Sequence, residues 1–255
     1  MSQVAWVTGA ASGMGAACAR RFAAEGAAVG CLDVSPGVRE VAAEIEVAGG
    51  TAHAVVCDVS DPAAIEAAAG ELETALGPAS VAVLAAGVKT TPGPIAELDP
   101  AEWDRVVGVN LTGVFLTMRA AIPGIQRAGG GSIVVIASVA GLEAGPNYSA
   151  YDSSKHGAVG LMKAAANELA ADGIRVNAVC PGWVDTPMLD AELADMGLDR
   201  ENGIPKLAKD HLIKRLIEPE EIAEAVFWLC SPRAAMVTGV ALPVDGGLLT
   251  GVFNK

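Results

Sequence analysis

Seven short apolar runs recur along the chain: VAWVT (4–8), AAVGCLD (27–33), AHAVVCD (52–58), SVAVLAA (80–86), SIVVIAS (132–138), IRVNAVC (174–180) and GVALPVD (239–245). None alternates cleanly between apolar and polar residues, as strands buried on both faces should not. Between them lie alanine-rich segments with apolar residues at helical spacing: 13–25, 61–75, 101–121, 152–171 and 219–230. Strand and helix in alternation predict parallel strands joined by right-handed crossovers. The expected class is therefore α/β, a doubly wound sheet of about seven parallel strands with helices on both faces. No Gly/Ser/Pro linker divides the chain and no solenoid-type repeat appears, so residues 1–255 are expected to form one domain. Residues 185–217 break the rhythm with a long, charged, mixed insert. A connection of that length in a compact domain is usually functional, and a substrate lid is expected there.

Composition narrows the partners. Lys and Arg number 17 against 30 Asp and Glu, a net charge of −13. Nucleic acid and anionic membrane surfaces both attract basic proteins, so neither is expected as a partner. No long charge-free apolar run escapes interruption by glycine or proline, so no transmembrane helix is expected, and the N-terminus lacks the basic region of a signal peptide. Aromatic residues are only 4%, so the core must rest on aliphatic side chains and close helix–sheet contacts. The five cysteines are scattered and odd in number, best explained as buried reduced thiols of a cytoplasmic protein. The three histidines show no ligand spacing, so no metal site is expected.

The stretch TGAASGMG (8–15) follows the first strand and opens the first helix. Gly9 allows a tight turn, Gly13 lets the backbone approach a pyrophosphate, and Gly15 lets the helix pack close to the sheet. The helix N-terminus offers N–H groups to phosphates. Asp33 closes the second strand, 18 residues after Gly15. There it can accept hydrogen bonds from ribose hydroxyls and repel the extra phosphate of NADP, and no Lys or Arg lies in 34–37 or 10–12. Asp58 ends the third strand and either meets the adenine edge or caps the following turn. Ala86 and Gly87 leave room for a ligand over the fourth strand.

Tyr151 and Lys155 stand four residues apart and share one face of a helix. Alone, the pair is equally an amphipathic helix with a snorkelling lysine. Ser138 ends the fifth strand, so serine, phenol and ammonium can converge at the carboxyl edge of the sheet, where such sheets bind ligands. Asn110 falls in mid-helix against its propensity; it serves either the site or the core backbone.

The Thr8–Gly15 loop, the set Asn110, Ser138, Tyr151 and Lys155, the Pro181–Gly182 pair and TGVALPVDGG (238–247) together resemble the short-chain dehydrogenase/reductase family, in its branch of roughly this length, over essentially the whole chain. The resemblance implies a Rossmann-type single domain, a nicotinamide cofactor and a homotetramer. It implies a proton relay in which Tyr151 is the acid–base group, Lys155 holds the nicotinamide ribose and favours phenolate, Ser138 steadies the substrate oxygen and Asn110 holds a water. Lowering a phenol from ~10 to ~7 takes about 4 kcal/mol, within reach of two nearby cations. The cofactor contacts it implies are Gly9, Ser12, Gly13, Met14, Gly15, Asp33, Asp58, Val59, Ala86, Gly87, Pro181, Gly182, Val184 and Thr186, with Tyr151 and Lys155. NAD is the expected cofactor because of Asp33. The family's Asn-Asn-Ala-Gly is Leu84-Ala85-Ala86-Gly87 here, a loss expected to loosen the central strands.

The substrate wall is expected from Ala140, Leu142, Tyr148, Trp183 and Met188, neutral and largely apolar, although Trp183 and Met188 serve equally as packing under the lid. The stretch CPGWVDTPM (180–188) resembles 3-hydroxybutyrate dehydrogenases, yet Ala140 and Tyr148 stand where those enzymes hold a carboxylate. A neutral secondary alcohol or its ketone is the expected small-molecule substrate. The alternatives are a 3-oxoacyl thioester reductase, a 3-hydroxy acid dehydrogenase, or a non-catalytic dinucleotide sensor.

Overall fold

The protein was analysed as a computed structural model, which describes residues 3–250. Strands β1 (Val4–Thr8), β2 (Ala28–Asp33), β3 (Thr51–Val56), β4 (Val81–Leu84), β5 (Gly131–Ile136), β6 (Ile174–Pro181) and β7 (Ala241–Val244) follow the seven apolar runs. They form one sheet in the order β3-β2-β1-β4-β5-β6-β7, every pairing parallel. The helices are α1 (Gly13–Ala24), α2 (Val38–Val47), α3 (Pro62–Leu76), α4 (Pro100–Val107), α5 (Gly113–Arg127), α6 (Ser149–Leu169), α7 (Pro187–Asp195), α8 (Arg200–Ala208) and α9 (Pro219–Cys230).

Because side chains alternate across a strand, each strand feeds two cores. Val4 and Trp6 of β1 pack with α3, α5 and α6 on one face, while Ala5 and Val7 pack with α1, α2 and α9 on the other. In β5, Ile133 and Val135 part from Val134 and Ile136 in the same way. The low aromatic content is met by small helix faces: α1 buries Gly15, Ala16, Ala17, Cys18, Ala19 and Phe22. All five cysteines are buried and unbridged.

Two helix expectations change. The segment 101–121 is two helices joined by a π-helical turn at Gly108–Thr112, and the second runs on to Arg127. The stretch Pro100–Arg127 is long and apolar enough to cross a membrane by composition. Here Val106, Val114, Leu116, Met118, Ala121 and Ile125 are buried in the domain, as in the core helix of a globular protein. The insert 185–217 holds α7 and α8, and Val184 pairs with Ile217 in a parallel bridge that brings its two ends together. Leu189, Leu193, Leu207 and Leu216 give this cap a small apolar core of its own.

Candidate active site

The strand order reverses between β1 and β4, and a crevice opens at the carboxyl ends of such neighbours. The glycine loop lies on it. Gly9 takes φ +68°, and a Cβ there would meet Ala85 and Ala86 backbone at 2.9 Å. A Cβ on Gly15 would stand 2.1 Å from the Gly9 carbonyl oxygen, so α1 can start where it does only with glycine at this position. Ser12 is the N-cap but its side chain makes no capping hydrogen bond, and the first turn of α1 carries no acid. The positive end of the helix therefore faces the crevice with no carboxylate in its own first turn.

The expected loosening at Leu84–Gly87 is offset by another residue. The Thr8 hydroxyl oxygen accepts the Ala85 and Ala86 N–H groups at 3.0 and 3.1 Å, tying β1 to the end of β4. Asp33 accepts from Ala11 N–H at 3.0 Å and from Ser35 N–H at 2.8 Å, which fixes its carboxylate beside the glycine loop. An ionised carboxylate has about four acceptor sites, so capacity remains for ribose hydroxyls. Asp58 accepts from the backbone and hydroxyl of Ser60 at 2.8 and 2.7 Å, the turn-capping alternative. Val59 is buried, and its side chain abuts Gly113 at the start of α5.

Tyr151 and Lys155 lie on the first two turns of α6. The Lys155 Nζ donates to the Ile136 carbonyl at 3.1 Å and sits 5.6 Å from the Tyr151 ring centre. A Cβ on Gly87 would stand 3.3 Å from the Asn110 Oδ1 and 3.5 Å from the Lys155 Nζ, so glycine keeps open the space in front of both. The Asn110 amide is engaged within the core. Its Oδ1 accepts from Val88 N–H at 2.8 Å, while its Nδ2 donates to Val88 O at 2.9 Å and to Ser154 Oγ at 3.1 Å. The backbone-bonding alternative for Asn110 is thus realised, and any further group it holds must use its oxygens. Ser138 caps a short turn by accepting Ala140 N–H at 3.1 Å.

Burial governs the charges here. It pushes the Tyr151 phenol up to about 12; the Ser138 hydroxyl pulls it down, and the Glu192 and Asp152 carboxylates add to the rise. Burial also lowers the Lys155 ammonium to about 8. Desolvation therefore outweighs the phenolate-favouring effect expected of Lys155 among the chain's own groups.

Ser138 and Tyr151 open onto a cavity of about 610 Å³, whose wall includes Met14, Pro181, Gly182, Val184 and Thr186. Ala140, Tyr148, Trp183 and Met188 also line it, but Leu142 does not; it turns into the core after the Val139–Gly141 turn. The wall is not neutral either, because Glu143, Asp152, Glu192 and Asp210 are part of it, and so are Lys89, Lys209 and Lys214. Glu192 is the residue the sequence reading missed. It stands one turn after Met188 on α7, so a helix assignment for 187–195 would have placed both on one face. Trp183 Nε1 donates to Asp210 at 3.2 Å, and its backbone N–H donates to the His211 Nε2 at 3.0 Å. His211 is fully buried, and its Nδ1 lies 2.7 Å from the Arg215 carbonyl. A carbonyl only accepts, so Nδ1 carries the proton and the ring is the neutral tautomer that staples Trp183 to the cap. Gly182 is required beside it, since a Cβ there would stand 2.6 Å from the His211 Nε2. Among the described residues no three His, Cys, Asp or Glu side chains cluster as metal ligands would.

A family model described as enoyl-(acyl carrier protein) reductase matches residues 9–249. Cis-4-hydroxycyclohexanecarboxylate dehydrogenase of Sinomonas cyclohexanicum is 42% identical over 96% of each chain. Cyclohexanol dehydrogenase of an Acinetobacter species is 39% identical over 96% of this chain and 94% of the relative. Among solved structures, a variant of actinorhodin polyketide ketoreductase with NADPH superposes with a TM-score of 0.92 at 40% identity, covering 97% of both chains. The 3-ketoacyl-(acyl-carrier-protein) reductase of Brucella melitensis with NADH gives 0.87 at 37% identity, over 96% of this chain and 98% of that one. With such matches running nearly end to end through the glycine loop and the Tyr151–Lys155 turn, the chain belongs to the short-chain dehydrogenase/reductase family of oxidoreductases.

Proposed function

We propose that the protein interconverts a secondary alcohol without a carboxylate, alicyclic or aryl, and its ketone, using NAD. The observation that carries this reading is the meeting of the Tyr151 phenol and the Ser138 hydroxyl on one cavity wall, with the Lys155 ammonium 5.6 Å behind the phenol ring. The residues present fit a dinucleotide. The uncapped start of α1 suits its phosphates, Asp33 suits ribose hydroxyls, and the space kept by Gly87 lies in front of Lys155. When bound, the cofactor supplies the hydride-accepting ring.

The chain's own residues handle the proton. Ser138 hydrogen-bonds the substrate oxygen and holds it beside Tyr151. The phenolate form of Tyr151 takes the hydroxyl proton during oxidation, and the phenol returns it during reduction. Lys155 stabilises the phenolate and binds the ribose, and Asn110 fixes the loop after β4 that faces Lys155. NAD is favoured over NADP because a 2′-phosphate would meet the Asp33 carboxylate, with no Lys or Arg in 34–37 to offset it. The relative named for cyclohexanol supports the substrate class; the relative named for cis-4-hydroxycyclohexanecarboxylate supports the alicyclic ring but acts on a molecule that carries a carboxylate.

The direct experiment is a screen of secondary alcohols at alkaline pH with NAD and NADP. NAD-linked oxidation of cyclohexanol is the expected result; turnover confined to NADP, or confined to hydroxy acids, would overturn the reading. A second reading, reduction of a 3-oxoacyl thioester, is favoured by the ketoreductase structures that superpose on this chain. An acetoacetyl thioester assayed with NADPH distinguishes it.

A further inference from the structure

Resting on that reading of the cavity as the alcohol site, we propose that Glu192 selects a substrate carrying a second hydroxyl group, which donates to its carboxylate from the end of the molecule away from the reacting carbon.

Glu192 is only 7% exposed, yet it lines the cavity. Among the described residues its one hydrogen-bond partner is the Tyr148 hydroxyl, which donates to Oε1. Among the described residues no Lys or Arg forms an ion pair with it: of the lysines on the cavity wall, Lys89 is bound to Asp195 and Lys214 donates to the Lys209 carbonyl. The Tyr148 hydroxyl fills one of about four acceptor sites of this carboxylate. The remaining capacity faces the cavity. A substrate hydroxyl there makes a charge-assisted hydrogen bond, whereas a purely apolar ring leaves the carboxylate unsatisfied.

The position of Glu192 is built rather than incidental. Tyr148 is set by Asn147, whose φ of +72° turns the chain, and by the Asn147 carbonyl, which accepts Gly93 N–H at 2.9 Å. α7 is held by Leu189 and Leu193 in the apolar core of the cap. The carboxylate is close enough to the reaction centre that its charge is felt at Tyr151. Glu192 and Ser138 line the same cavity, so a molecule whose reacting hydroxyl lies at Ser138 can reach Glu192 with another part of itself. The same charge repels a carboxylate placed at this end of the cavity, while Lys209 and Lys214 stand elsewhere on its wall.

The test compares cyclohexanol, cyclohexane-1,4-diol and 4-hydroxycyclohexanecarboxylate in the wild type, Glu192→Gln and Tyr148→Phe. A charge-assisted hydrogen bond is worth about tenfold to a hundredfold, so the diol should lead cyclohexanol in kcat/KM by at least tenfold in the wild type. The hydroxy acid should be the poorest. Glu192→Gln should cut the diol advantage to threefold or less and improve the hydroxy acid. Tyr148→Phe should keep the diol advantage, since it leaves the carboxylate in place. Calorimetric titration of the same compounds in the presence of NADH, where no alcohol can be oxidised, gives the same ranking without turnover. Equal wild-type affinities for diol and cyclohexanol, or a diol advantage surviving in Glu192→Gln, would overturn the proposal. Failure of every alcohol to reduce NAD would overturn the reading of function instead, and the titration would still decide the role of Glu192.

Discussion

The two sides of the crevice are built by different means. Beside β1 and β4, shape is set by backbone: atoms approach so closely that a Cβ on Gly9 or Gly15 would overlap main-chain carbonyls, and Thr8 ties the strands through N–H groups. Across the cavity, α7 and the 143–148 loop present side chains, and selection rests on Tyr148, Glu192, Trp183 and Met188. The first side has little freedom to change and suits a ligand common to many enzymes. The second can be re-specified one side chain at a time.

The sharpest way to break this contrast is Gly15→Ala. The added carbon overlaps the Gly9 carbonyl, so α1 must shift away from the loop. NADH affinity, measured by fluorescence titration, should fall by more than about a hundredfold, as misplacement of a binding element by an ångström can do. Glu192→Gln, on the other side, should leave NADH affinity within about twofold. Similar losses in both variants would contradict the division.

Lys155 stands where the two sides meet, and its burial has a thermodynamic signature. Its ammonium is depressed from 10.5 to about 8, so between these values the unfolded chain binds the extra proton. Stability from this group rises with pH across that window and is lost as pH falls through 8. At about 1.4 kcal/mol per unit, Lys155→Met should gain roughly 3 kcal/mol at pH 7 and nearly nothing near pH 10.5, while losing turnover. Denaturant melts at the two pH values check this; a variant less stable than wild type at pH 7 would count against it.

Much of the backbone-built side was legible in the sequence, and for a physical reason. Only glycine fits where Gly9, Gly13 and Gly15 stand, so their spacing reports geometry directly. Apolar runs likewise announced all seven strands, because strands buried on both faces leave no polar alternation to confuse them. The side-chain-built side was harder to read. Glu192 is one of many acids in a charged segment, and only a helix assignment for 187–195 would have set it on the face of Met188. α2, α7 and α8 went unrecognised: α2 carries Val38, Val41, Ala42 and Ile45 at helical spacing and was legible, whereas α7 and α8 lie in the charged insert that broke the rhythm. Leu142 was expected at the wall, but the turn after Ser138 rotates it into the core.

Smaller effects sharpen the comparison further. Asp33→Ala should lower the NAD-over-NADP ratio of kcat/KM by about tenfold, the scale of one lost charge-assisted hydrogen bond. An unchanged ratio would remove Asp33 from cofactor choice. Leu193→Ala, in the core of the cap, should raise the alcohol KM about threefold to tenfold while NADH affinity stays within twofold, because it loosens the cap alone. Hydrogen exchange in 185–217 should be faster than in the sheet and should slow when NADH and an alcohol are both present. Protection equal to that of the sheet in the free protein would argue against a moving lid.

The most direct test is the pH dependence of NAD-linked cyclohexanol oxidation in the wild type and in Tyr151→Phe. Burial holds the phenol protonated in the free protein, so oxidation must wait for the phenolate. The wild-type kcat/KM should climb by about tenfold per pH unit towards an alkaline plateau below 12, because the cationic ring of the bound cofactor pulls the phenol down. The Phe variant should lose at least about a hundredfold of the activity and the slope with it, while binding NADH normally. A Phe variant that keeps the wild-type pH profile would mean that another group moves the proton.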